Sequence, residues 1–307
     1  MGGGRWNPTD WTAYSSTIKT MPLGAIYRST TIHEELDPLN VKLRESRDSD
    51  EHPKSNAIIV GLDVTGSMGM LAEVMAKKGL GTLIEQINER KPVESPHTLI
   101  MAIGDARWDS APLQVTQFES SNVLVEQLEK IFVERGGGGN MTESYDLPWY
   151  FAAQHTSIDC FEKRNKRGYL FTIGDEEAPA GLDQDHIKRF IGDTAERDYS
   201  AKELLEMAQR MYHVFHIVAE EGNYARHSKK AVYDTWHKLL GQNVLPLSDH
   251  TKLAEVIVST IQVMEGEDKK VVAASWDGDT SLVVANATKG LTKHAGGVGK
   301  AGVVRLS

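Results

Sequence analysis

Ala57-Ile58-Ile59-Val60-Gly61-Leu62-Asp63-Val64-Thr65-Gly66-Ser67-Met68-Gly69 is the stretch on which the fold turns. Its first six residues form a short, continuous apolar run, as a parallel strand buried on both faces requires. The run ends in a carboxylate and two hydroxyls (Asp63, Thr65, Ser67) spaced two residues apart. After Ser67 the pattern becomes helical, with Leu71, Val74, Met75, Leu80, Leu83, Ile84 and Ile87 falling on one face.

The same alternation continues along the chain. Leu99–Ile103, Tyr169–Ile173, Val214–Val218 and Val244–Leu247 read as further buried strands, and Leu113–Phe118 as a half-exposed edge strand. Helical faces follow at Leu124–Phe132, Leu147–Phe151, Ala231–Leu240 and Leu253–Met264. The expected fold is therefore α/β: a doubly wound, mostly parallel sheet with one antiparallel edge strand and helices on both faces. In such a sheet the carboxyl ends of the parallel strands open on one edge, where function should be sought.

Outside this core the signal weakens. Residues 1–56 form an N-terminal extension whose Lys42–Lys54 stretch mixes charges and reads as a solvated connector. In the C-terminal tail, 267–307, Asp277-Gly278 between Val271–Trp276 and Ser281–Ala285 suggests a hairpin, followed by a glycine-rich end.

The chain has 307 residues, with 43 acidic and 34 basic side chains, a formal net charge of −9 and one cysteine. An acidic balance argues against nonspecific nucleic-acid binding, which needs clustered Lys and Arg. No apolar run approaches the roughly 18–20 residues of a membrane span, and the N-terminus lacks the apolar core of a signal peptide. With Cys160 alone, an intrachain disulfide is excluded. A cytoplasmic protein is the expectation.

The end of the first strand fits no strong catalytic motif. A nucleophile elbow needs Gly where Thr65 stands. An aspartyl-phosphate phosphatase would place a second Asp at Thr65. The Gly299-Lys300 pair lacks the flanking glycine and hydroxyl of a P-loop. Carboxylate and hydroxyl oxygens suit Mg²⁺ or Mn²⁺ better than Zn²⁺, although Asp, Thr and Ser are equally at home as helix caps. Two later loops carry similar donors: Gly136-Gly137-Gly138-Gly139-Asn140-Met141-Thr142-Glu143-Ser144, and Gly174-Asp175-Glu176-Glu177 after the third buried strand. Asn140 with Glu143 also forms a capping-box-like pair. Asp105 and Asp109 read as solvated turn residues, and His213, His216 and Trp236 as structural.

In these three elements, over residues 57–266, the sequence resembles the von Willebrand factor type A (VWA) domain and its metal-ion-dependent adhesion site. The family's D-x-[ST]-x-S signature matches Asp63, Thr65 and Ser67. Its glycine-rich loop looks like Gly136–Thr142, with Thr142 or Asn140 as the third ligand, and its final Asp looks like Asp175. Glu176 departs from the glycine common at that position. The resemblance implies a non-enzymatic, protein-binding role. Mg²⁺ or Mn²⁺ would keep one coordination position open for a Glu or Asp of a partner protein, and intracellular bacterial and phage members are often adaptors or partners of AAA+ ATPases. Two other classes would share the cluster: an assembly protein with a vestigial site, and a metal-dependent hydrolase, for which no general base is evident.

Overall fold

The computed structural model describes residues 7–18, 21, 29–68, 74, 79–133 and 142–292. Six strands form the central sheet: β2 (Asn56–Asp63), β3 (Pro96–Ile103), β4 (Leu113–Val115), β6 (Gly168–Gly174), β9 (Tyr212–Ala219) and β10 (Val244–Leu247). Their order is β10-β9-β6-β2-β3-β4, parallel throughout except for the β3–β4 edge pair. Mixed α/β architecture with one antiparallel pair is what the sequence pattern predicts.

All eight residues of β2 are buried, because it lies in the middle of the sheet between β3 and β6. Its side chains alternate between two cores, as the period of two demands. Ile58, Val60 and Leu62 face one core with α2 (Leu80–Arg90), α3 (Val123–Glu129) and α9 (Leu253–Glu265). Ala57 and Ile59 face the other, with α4 (Asp146–Gln154), α6 (Gln184–Phe190), α7 (Ala201–Gln209) and α8 (Asn223–Leu240). An Ile or Val side chain fully removed from water contributes roughly 1.5–3 kcal/mol, so the β2 run alone is a major source of stability.

Three expectations are corrected. The edge strand β4 is buried, not half-exposed. The N-terminal segment lies along it: Val115 N donates to Leu36 O at 2.8 Å, and Arg44 donates to Val115 O at 2.9 Å. Within the charged Lys42–Lys54 stretch, Arg44–Asp48 is docked rather than a solvated connector, while Ser49–Glu51, Pro53 and Lys54 are exposed. Within it β1 (Arg44–Ser46) pairs in parallel with β5 (Thr156–Ile158). Arg47 bonds Glu45, Asp159 and Glu162, and Asp48 bonds Arg164 and Ser55. Finally, the expected C-terminal hairpin is two helices, α10 (Lys269–Ala274) and α11 (Gly278–Thr288). Asp268 caps α10 through the amides of Lys270 and Val271, and Val272, Val283, Val284 and Ala287 join the first core.

Among the described residues no helix is long and apolar enough to cross a membrane. Cys160 is buried in α5 (Asp159–Glu162) and unpaired.

Candidate metal centre

The carboxyl ends of β2, β3 and β6 converge with the segment 142–145 on one edge of the sheet. Asp63, the last residue of β2, is fully buried. Its Oδ1 accepts from Thr65 N at 3.0 Å and Thr65 Oγ1 at 2.7 Å, which turns the chain into the short 3-10 helix Gly66–Met68. Its Oδ2 accepts from the Tyr145 hydroxyl at 2.9 Å. The cap-like role considered for this turn is thus real, and it holds Asp63 and Thr65 together. Ser67 lies in the same short helix, but the position of its side chain falls outside the described residues.

Asp175 follows β6 and is fully buried. Its Oδ2 accepts from Tyr224 N at 2.7 Å at the N-terminus of α8, where unpaired amides and the helix dipole favour an anion. Gly222 is needed for that approach, because a Cβ there would lie 2.2 Å from Asp175 Cβ. Oδ1 is buried with no hydrogen-bond partner.

Thr142 is described and half-buried, whereas Asn140 and Gly136–Gly139 lie outside the described residues. The capping-box reading of Asn140 with Glu143 does not hold, since α4 begins at Asp146 with Tyr145 at its N-cap. Glu143 instead stands in the segment that leads into α4, tied to the loop after β3 by Ser144 N to Gly104 O at 3.1 Å and Ala106 N to Ser144 Oγ at 2.9 Å. It is 7% exposed, with Oε2 unpartnered. Glu176 is 8% exposed, also with Oε2 unpartnered, while its backbone carbonyl accepts from Trp236 Nε1 at 2.9 Å.

Asp105 and Asp109 are buried, correcting their reading as solvated turn residues. Asp109 Oδ2 accepts from Asp105 N at 2.7 Å and Asp105 Oδ1 from Arg107 N at 2.9 Å, so the two carboxylates organise the loop. Trp108, between them, is 65% exposed.

Behind the acidic groups stands an aromatic wall. Tyr145 meets His216 and Trp236 edge-on, and His216 stacks on Trp236 at 3.5 Å between centroids. His216 Nδ1 is 2.9 Å from Thr172 Oγ1. Gly174 leaves room for the Tyr145 hydroxyl, which would lie 1.9 Å from a Cβ there. These residues fit the structural role expected of His216 and Trp236.

The electrostatics are those of acids crowded in a dry place. Burial raises the pKa of Asp63 and Asp175, with the Asp175 charge adding to the effect on Asp63. Burial also raises Glu143, and Asp63, Glu176, Asp105 and Asp109 raise it further. Glu176 is pushed up to about 8 by burial and by Asp63, Asp175 and Asp105. Asp146 Oδ2 is unpartnered too, but its charged neighbours are Arg107 and Asp183. Buried carboxylate oxygens normally find donors; three unpaired ones at one sheet edge fit a hard cation that takes oxygen ligands. Asp63, Thr65, Asp175 and the Thr142–Glu143 segment would hold it.

Among the described residues, three carboxylate or imidazole ligand atoms within 4.8 Å of one another occur at Glu221, Asp249 and His250, beyond the ends of β9 and β10, and not at the acidic edge. These three residues are engaged locally: Glu221 Oε2 accepts from His250 N and faces Nδ1 at 2.6 Å, and Asp249 Oδ1 caps Thr251.

No protein-family model matches the sequence, and no curated protein does. The chain matches solved structures at low identity. One is the pilus adhesin SpaC from Lactobacillus rhamnosus GG in its open conformation, at 9% identity and TM-score 0.44, covering 75% of this chain and 31% of that one. Another form of SpaC gives 9% identity and TM-score 0.46, covering 71% and 32%. A von Willebrand factor type A protein from Catenulispora acidiphila gives 14% and 0.38, covering 70% and 44%. This chain thus spans less than half the length of each.

Proposed function

We propose that the chain is a metal-dependent protein-binding module of the VWA type, using Mg²⁺ or Mn²⁺ at the sheet edge to capture a Glu or Asp side chain of a partner protein. The observation that carries this reading is the set of buried, unpartnered carboxylate oxygens on Glu143, Asp175 and Glu176 beside Asp63. Carboxylates left like this destabilise a protein unless something offsets them. A bound cation supplies that positive charge and a Lewis-acidic site for one more oxygen.

The chain's own residues supply the rest. Asp63 fixes the Thr65 hydroxyl, and the Tyr145 hydroxyl fixes Asp63. The α8 N-terminus fixes Asp175 through one oxygen and leaves the other buried without a donor. Trp108, exposed on the adjoining loop, offers a large apolar contact of the kind that dominates binding energy at interfaces. The partner is then a protein whose acidic side chain is accompanied by an apolar one. An AAA+ ATPase or an assembly component belongs to the class the resemblance points to, and recognition rather than catalysis is the role.

The test is capture of partners by the tagged chain from its native host, with and without EDTA, beside Asp63→Ala. Capture lost in both, with an unchanged circular dichroism spectrum, supports the reading. Capture that survives both contradicts it.

A further inference from the structure

A cavity of about 290 Å³ lies between the docked N-terminal segment and the chain that follows β4. Glu34, Glu35, Leu36 and Arg44 line it from the segment, and Gln117 and Gln127 from the other side. None of these residues belongs to the candidate metal centre.

Arg44 is more than nine-tenths buried. Its Nη2 donates to the backbone carbonyls of Glu35 and Val115, while Nε has no hydrogen-bond partner. Among the described residues no carboxylate pairs with it. Glu35, whose charge it feels, is bonded instead to Lys130 Nζ at 2.5 Å. A buried guanidinium without a counter-ion is costly, and its planar fork of donors matches a carboxylate. Burial pulls its pKa down from 12.5 to about 10, as expected of a charge held out of water without full compensation.

Gln117 has the opposite need. Its backbone amide donates to Gln127 Oε1 at 2.7 Å, but its own Oε1 is buried with no donor. Buried amide oxygens normally find one. One cavity is thus walled by an unpaired cation and an unpaired acceptor. A simple anion satisfies Arg44 alone and meets the negative charge of Glu34 and Glu35 on the same wall. A molecule that carries a carboxylate and an ammonium satisfies Arg44 and Gln117 together, and turns the glutamate charge to use. Leu36 and Val41, both buried, add apolar lining. The volume falls just below the roughly 300–1,000 Å³ of pockets for drug-sized ligands, which suits a ligand of amino-acid size.

We propose that this cavity binds a free α-amino acid with an apolar side chain, its carboxylate on Arg44, its ammonium on Gln117 and its side chain against Leu36 and Val41. Such a ligand touches both the N-terminal segment and the chain after β4, so binding fastens one to the other.

Calorimetry and thermal melting of the full chain with L-leucine, L-isoleucine, L-valine and L-methionine test it, with EDTA present so that the metal centre plays no part. The expected result is saturable binding of at least one of them, with a rise in Tm. For leucine, L-leucinamide lacks the carboxylate and 4-methylpentanoate lacks the ammonium, and each should bind at least about tenfold more weakly. Arg44→Met should lose binding. Because Arg44 also bonds the backbone of β4, Gln117→Leu is the second variant; it should melt like the wild type without ligand and bind at least about tenfold more weakly. No saturable binding of any of the four to the wild type overturns the proposal, as does binding left unchanged in Gln117→Leu. 4-Methylpentanoate bound as tightly as leucine makes this a plain carboxylate site and also overturns it.

Discussion

Asp175 divides its oxygens between two tasks, with Oδ2 on the α8 amide of Tyr224 and Oδ1 buried without a donor. The tasks separate by substitution. Asp175→Asn keeps an oxygen for the helix amide and removes the charge, so the fold should persist while Mn²⁺ affinity falls at least tenfold in calorimetry. Asp175→Ala also removes the cap, and should lower stability in urea melts by a further ~1 kcal/mol. Trp108→Ala should weaken partner capture about tenfold, as loss of an interface aromatic does, with metal affinity unchanged. At this scale the sequence shows Asp63, Thr65 and Asp175 clearly, because strand ends put them on one edge. Glu143 was legible only as a capping residue and Glu176 only as rim charge. Glu143 is placed by the packing of the 142–145 segment on the loop after β3 and Glu176 by the Trp236 bond to its carbonyl, tertiary contacts with no local signature.

The same limit appears among the elements. Buried strands announce themselves as apolar runs, and β2, β3, β6, β9 and β10 were all readable. The Lys42–Lys54 stretch was not, because its charges neutralise one another across the fold: Arg47 with Asp159 and Glu162, Asp48 with Arg164. Asp277-Gly278 misled for a different reason. Gly278 does take a positive φ of 54°, as in a tight turn, yet the chain continues into α11. The docked N-terminal segment carries an acid-sensitive joint. His97 is 1% exposed, lies 3.1 Å from Ser46 Oγ, and is held down to about 4 by burial and by nearby positive charge, including His52. Its folded pKa lies below the unfolded value of about 6.5, so its contribution is full above pH 6.5 and is lost as pH falls toward 4. Asp48 is held at about 2, burial being outweighed by hydrogen bonds from Arg164 and Ser55. Its contribution is present above about pH 4 and lost as pH falls toward 2. Melting temperature against pH should therefore fall in two stages, and His97→Gln should flatten the stage between pH 6.5 and 4. A curve unaltered by that substitution would assign the first stage elsewhere.

For the molecule as a whole, the net charge of −9 is not spread evenly. Asp63, Asp105, Asp109, Glu143, Asp175 and Glu176 are gathered, buried, at one sheet edge. That edge is where the fold stores repulsion and where a cation would release it. A ligand that binds only the folded state stabilises it by about 2.7 kcal/mol at a hundredfold excess over Kd. In a chain of this size, that is a rise in Tm on the order of 5 °C.

Thermal melting of the wild type and Asp175→Asn, each in EDTA and in saturating Mn²⁺, is the direct test that this edge is a metal centre. The wild type should gain about 5 °C or more with Mn²⁺, and Asp175→Asn little or nothing. An equal gain in both proteins, or none in the wild type, would contradict the assignment.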